Sequence, residues 1–243
     1  LIDECHGRGL RVILDGVYNH ASTECPLTRI DHDYWFHHAP RDPDNSWGPE
    51  FNYEHHDEAL DVKPAWRFIG DAVKFWIEEV HIDGIRFDAA RQIDNYDFMR
   101  WIVERTKEWA GPKPFYNIAE HIPQTPDITG PDGPMDGAWH ENFYNAVKDH
   151  LCGWTRDLGR LQAVVDARDG GIMGEEALRR LRLGAVLLMT ANGIPMIWMG
   201  EEFGEYKYRT PNQAKIEWAL LDSEDNKGLF EHYRRLIALR RAT

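Results

Sequence analysis

The run DGIRFDAAR, residues 83–91, reads as a short buried strand that ends on a carboxylate. Arg86 and Asp88 stand two apart in it, so their side chains leave the same side of the strand. Upstream, Phe68, Ile69, Ala72, Val73, Phe75, Trp76 and Val80 recur at helical spacing. That helix is preceded by RVILDGVYNH, residues 11–20, where Val12 to Asp15 reads as another buried strand closed by the turn at Gly16. Downstream, a helix from Phe98 to Trp109 leads to FYNIAEH, residues 115–121, with a strand from Phe115 to Glu120. Strands and helices taking turns predict an α/β fold with a parallel sheet and helices outside it. Each strand ends in an acidic residue: Asp15, Asp88 or Glu120.

In a parallel α/β barrel, side chains at the C-terminal ends of successive strands converge on one mouth. The expected architecture is therefore a TIM-type (β/α)8 barrel, here partial, read as a single partial catalytic domain over residues 1–243. Ile2 to Leu10 reads as a helix, and Glu175 to Ala191 as an amphipathic helix leading to a strand at Ile194 to Met199. Residues 20–64 lack a clear period and are rich in His, Pro, Asn and aromatics, which predicts a long inserted loop or lid. Tyr34, Trp35, Phe36, Trp47, Phe51 and Tyr53 in it offer flat faces for sugar rings, although most such rings pack a loop onto its scaffold.

The chain has 243 residues and a net charge of −13, so it presents no basic stripe to displace counterions from a nucleic acid. No apolar run approaches the roughly 20 residues of a membrane span, so no membrane is expected, and no signal peptide opens the sequence. The opening Leu1 points to an excised or processed piece. Cys5, Cys25 and Cys152 lack metal spacing and fit a reducing cytoplasm. His37, His38, His55 and His56 prompt a metal-dependent hydrolase as a distant reading, but they lack the H-E-x-x-H spacing of helical zinc sites.

DGVYNH at 15–20, DGIRFDAAR at 83–91 and NIAEH at 117–121 resemble, in order and separation, the first three signature regions of the α-amylase family of glycoside hydrolases and transglycosylases. WGPEFNYEHHDEA, MDGAWHENFYNAV and GIPMIWMGEEFGE extend the likeness over almost the whole chain. It is nearest in look to the glucan-branching and trehalose-releasing members. By the family's count the recognisable strands are the third to sixth and the eighth. The first two have no counterpart.

The resemblance implies that Asp88 is the nucleophile and Glu120 the general acid/base. A carboxylate about 5 Å from the acid can attack the anomeric carbon and give net retention. Arg86 would keep Asp88 ionised, whereas Glu120 must begin protonated. Asp15 implies support, His20 a hydrogen bond to sugar, and Tyr18 and Arg91 further support or substrate contacts. Arg91 and Gln92 replace the Lys-His pair that follows the nucleophile in many amylases, which leaves acceptor specificity open. An Asp at a strand end can otherwise simply cap the next helix. Asn19 matches a calcium ligand of secreted amylases, but no cofactor is required, because the branching-type members often lack that ion.

The fourth signature, an Asn-His-Asp run on the seventh strand, is absent from CGWTRDLGRLQAVVDARDGGIM, residues 152–173. Asp166 and Asp169 lie there without the expected neighbours. Two readings follow: an enzyme that cleaves α-1,4 glucans by double displacement, with water or a sugar hydroxyl as acceptor, or a catalytically inactive truncated fragment or glucan-binding remnant that lacks the third catalytic Asp. Oligomeric state is not set by the sequence.

Overall fold

The computed structural model describes residues 1–123, 125–141, 148, 175–205 and 215–242. These fall into two compact units, Leu1–Glu141 and Asn142–Thr243.

The first unit holds α1 (Ile2–Gly7), β1 (Ile13–Gly16), α2 (Pro26–Trp35), α3 (Pro64–Glu78), β2 (Gly84–Phe87), α4 (Ala90–Ile93), α5 (Tyr96–Ala110), β3 (Tyr116–Ala119) and β4 (Gly137–Ala138). The strands form one parallel sheet in the order β1-β2-β3-β4, part of a TIM-type barrel. Its register sets Asp15 beside Arg86 and Arg86 beside Ile118, so the strands end level with one another. Glu120 N–H bonds Phe87 O at 3.0 Å and Asp88 N–H bonds Gly16 O at 3.0 Å, carrying the pairing past the last strand residues.

Apolar side chains explain the layers. Ile69, Val73 and Ile77 of α3 and Phe98, Met99, Ile102 and Val103 of α5 are buried with Ile85, Phe87 and Ala119 of the sheet. Pro64 begins α3, where its missing N–H costs nothing, and Asn95 caps α5 by accepting from Phe98 N–H at 2.8 Å. Trp101 packs where a Cβ on Gly70 would stand 2.6 Å from its ring, so α3 and α5 approach closely only with glycine there.

At the other end of the sheet Asp83 is buried and accepts from Val12 N–H at 2.7 Å and from His6 Nε2 at 2.8 Å, with Lys113 Nζ at 3.4 Å. Burial alone would raise its pKa, but these donors outweigh burial and lower it. The cluster ties α1 and the start of β1 to the loop before β2.

The 20–64 insertion has more order than its composition predicts. It contains α2, and isolated antiparallel bridges join His20 to Glu50, Phe36 to Phe51 and Asp57 to Val62. Phe36, Phe51 and Tyr53 are buried in the core and hold the insertion down, whereas Trp47 is exposed.

In the second unit, α6 (Glu175–Thr190) and α7 (Glu224–Ala242) pack through Leu178, Ala185, Met189, Leu229 and Tyr233. The strand expected at Ile194 to Met199 is not formed: this apolar stretch is irregular, and Ile194, Met196, Trp198 and Met199 are exposed. An apolar run becomes a strand only when a neighbour supplies hydrogen bonds, and no described strand of its unit does so. The missing fourth signature, with Asp166, Asp169 and Cys152, lies outside the described residues. Cys5 and Cys25 are free thiols. Among the described residues no helix is long and apolar enough to cross a membrane.

Candidate active site

The strand ends bring Asp15, Asp88 and Glu120 onto one guanidinium. Arg86 Nη1 donates to Asp15 Oδ1 at 2.5 Å and to Asp88 Oδ1 at 2.6 Å, and Nη2 donates to Glu120 Oε2 at 2.5 Å. A planar fork of donors can address several carboxylates at fixed angles, which an ammonium cannot. Arg86 is largely buried, with its side chain 12% exposed, whereas Asp15 is 66% exposed at the sheet edge. Burial opposes the guanidinium charge, but the Asp15 hydrogen bond and the charges of Glu120, Asp15 and Asp88 overcome it and raise the Arg86 pKa.

Glu120 Oε2 also accepts from Ala89 N–H at 3.2 Å, and its backbone oxygen accepts from Ala90 N–H at 2.8 Å. Ala89 has φ of 42°, a left-handed conformation that L-residues avoid. That turn aims the Ala89 N–H at the carboxylate, a strain of the kind held at functional sites. With Oε2 occupied by donors, a proton on Glu120 belongs on Oε1, which has no hydrogen bond among the described residues.

His20 follows β1. Its Nδ1 pairs with Asn19 Oδ1 at 2.7 Å; the amide oxygen only accepts, so Nδ1 carries the proton and Nε2 is left as an acceptor. Burial lowers the His20 pKa against the opposing pull of Asp88 and Glu50, which favours the neutral ring. Asn19 is buried with Oδ1 committed to His20, and among the described residues no three His, Cys, Asp or Glu side chains group around a metal position.

Tyr18 takes a supporting place. Its ring is buried edge-on to Phe87 at 5.8 Å, and burial raises its pKa to about 12. Gly16 makes this possible, since a Cβ there would lie 2.4 Å from the Tyr18 ring. Arg91 is exposed on α4, apart from the guanidinium cluster.

Sequence reasoning missed three contributors. Arg41 Nε reaches the buried Glu50 Oε2 at 3.2 Å and its Nη2 donates to Gln92 O, fastening the insertion to α4, the short helix after β2. Ala89 supplies a main-chain donor that no side-chain pattern announces. Trp139 lies directly after β4, and its ring stands 4.3 Å from Arg86 Cζ; its place in MDGAWH, at a strand end, was the available signal.

No family model matches the chain. It is 28% identical over its full length to pullulanase of Bacillus subtilis strain 168, covering 41% of that protein. It is 26% identical over its full length to a Bacillus cyclomaltodextrinase, covering 49% of it. Over 84% of its length it is 27% identical to malto-oligosyltrehalose trehalohydrolase of Saccharolobus solfataricus, covering 44%. The chain thus spans about half the length of the curated relatives it matches. Among solved structures, an α-amylase from Geobacillus thermoleovorans complexed with acarbose superposes with a TM-score of 0.74 at 22% identity, over all of this chain and 60% of that one. A debranching enzyme from Nostoc punctiforme gives 0.70 at 18% identity with the same coverage, and at these identities both speak for the fold. These relatives and structure neighbours are glycoside hydrolases of the α-amylase family, and the parallel strands ending in the Asp15, Asp88 and Glu120 carboxylates are consistent with part of such a catalytic barrel.

Proposed function

We propose that the protein acts on α-glucan oligo- or polysaccharides in starch or glycogen metabolism, cleaving α-1,4-glucosidic bonds with retention. The observation that carries this reading is the single Arg86 guanidinium shared by Asp88 and Glu120, carboxylates from adjacent strand ends. Pullulanase, cyclomaltodextrinase and trehalohydrolase among its relatives support the substrate class. Asp88 attacks the anomeric carbon as the bond to the leaving oxygen breaks, and Glu120 gives that oxygen its proton. Glu120 then takes a proton from the acceptor, which displaces Asp88 from the sugar. Asp15 and Arg86 hold the pair, His20 accepts from a sugar hydroxyl, and Tyr18 and Arg91 give further support or substrate contacts. Water as acceptor gives hydrolysis; a sugar hydroxyl gives transfer or branching. The net charge of −13 and the sparse cysteines support a cytoplasmic enzyme with no nucleic-acid partner, residues 1–243 forming part of a catalytic barrel with 20–64 as its insertion.

Product analysis on amylose tests the reading. Shorter chains of retained anomeric configuration indicate hydrolysis, and new α-1,6 linkages indicate branching. Residues 152–173, which lack a His-Asp run, favour a second reading as a glucan-binding remnant. That reading holds if the protein binds maltoheptaose and releases no product.

A further inference from the structure

Trp139 has no assigned part in the chemistry, yet it touches the one side chain that organises the carboxylates. Its ring centroid lies 4.3 Å from Arg86 Cζ, and its backbone N–H is tied to Ala119 O at 3.0 Å, directly beyond the end of β4. The indole is therefore anchored to the strand next to Glu120, while Arg86 comes from β2. Arg86 Nε is buried and makes no hydrogen bond among the described residues. Nothing at that nitrogen fixes the rotation of the guanidinium, and of its three carboxylate partners Asp15 is mostly exposed. The carboxylate bonds at Nη1 and Nη2 align the fork, and contact with a flat π face adds a restraint against tilt, because a cation over an aromatic ring is attracted to it.

We propose that Trp139 is a positioning residue: it holds the Arg86 guanidinium in the orientation from which Nη1 reaches Asp88 and Nη2 reaches Glu120 at once. The inference rests on the catalytic reading above. A tilt of the fork moves nucleophile and acid together, so the damage falls on the chemical step more than on sugar binding. Displacements of about 1 Å in such groups cost on the order of 100-fold in rate.

The test compares wild type with Trp139→Phe, which keeps a π face, and with Trp139→Leu, which fills space without one. Steady-state kinetics on maltoheptaose and the side-chain NMR resonance of Arg86 Nε–H are measured for each. The Arg86 proton is expected upfield in wild type through the ring current, to keep much of that shift in the Phe variant and to lose it in the Leu variant. kcat should fall at least about tenfold in Trp139→Leu with KM nearly constant, and Trp139→Phe should recover most of it. Turnover of Trp139→Leu at the wild-type rate overturns the proposal, and so does an Arg86 resonance unmoved by that substitution. A wild type without turnover sinks the catalytic reading instead, and the NMR comparison still decides whether Trp139 orients Arg86. If the Leu variant does not fold, an Arg86 proton without upfield shift in wild type is the overturning result.

Discussion

Arg86 Nη2 donates to Glu120 Oε2 at 2.5 Å, so the side chain proposed as proton donor is in direct contact with the site's cation. The same guanidinium holds Asp88 at 2.6 Å. The contact places any transferable proton on Oε1 and gives the two carboxylates a common mount, so changes at either, or at the mount, have separable consequences.

Asp88→Asn removes the carboxylate proposed as the attacking group, and activity on soluble starch is expected to fall by roughly three orders of magnitude or more. Glu120→Gln should harm natural glucans far more than fluoride or nitrophenyl glycosides, whose leaving groups need no proton. Equal losses on both substrate types would remove Glu120 from the acid role.

Arg86→Lys keeps a charge but replaces the fork with a point donor that cannot span Asp15, Asp88 and Glu120. A loss of about 2 kcal/mol of folding stability is expected, in the range of charged hydrogen bonds left unmade. kcat should fall with it while far-UV circular dichroism stays native, and unaltered kinetics in this variant would refute the shared-mount arrangement.

Burial lowers the pKa of His20, and burial followed by the Arg41 charge lowers that of His37, both from an ordinary value of 6.5. The unfolded chain therefore binds more protons at these positions in mildly acid solution. Their contribution to stability is fully present above about pH 6.5 and drains away as pH falls toward the lower folded values. Urea midpoints at about pH 7.5 and 5.5 should show this loss, and a His20→Gln, His37→Gln double variant should show a smaller one. An identical loss in the double variant would assign the effect elsewhere.

Gly84 pairs with Tyr116 across β2 and β3, and a Cβ there would stand 2.5 Å from Tyr116 O and 3.3 Å from Ile13 Cγ1. The first neighbour is backbone inside the sheet and cannot swing aside. Gly84→Ala should therefore destabilise by about 2 kcal/mol, read as a lower urea midpoint at unchanged slope. A neutral result would mean that the β2–β3 spacing is looser than this contact implies.

What was written locally in the sequence was read from it. Alternating apolar runs and helical periods marked β1, α3, β2, α5, β3 and α6 to within a few residues, because burial period and chain chemistry are properties of neighbouring residues. The acidic strand ends and Arg86 were legible for the same reason, since two residues along a strand share a side. Other features depended on partners far along the chain. The Ile194 to Met199 run stayed irregular because a strand needs a hydrogen-bonding neighbour that no local pattern supplies. Register between β1 and β2, not sequence, set Asp15 against Arg86 across a sequence separation of 71. The sequence by itself determined which acidic side chains stand at the strand ends and that Arg86 shares a side with Asp88; only tertiary structure decided that one guanidinium, roofed by Trp139, contacts all three carboxylates and that the strained Ala89 N–H meets Glu120, because distance and angle between strands arise from packing.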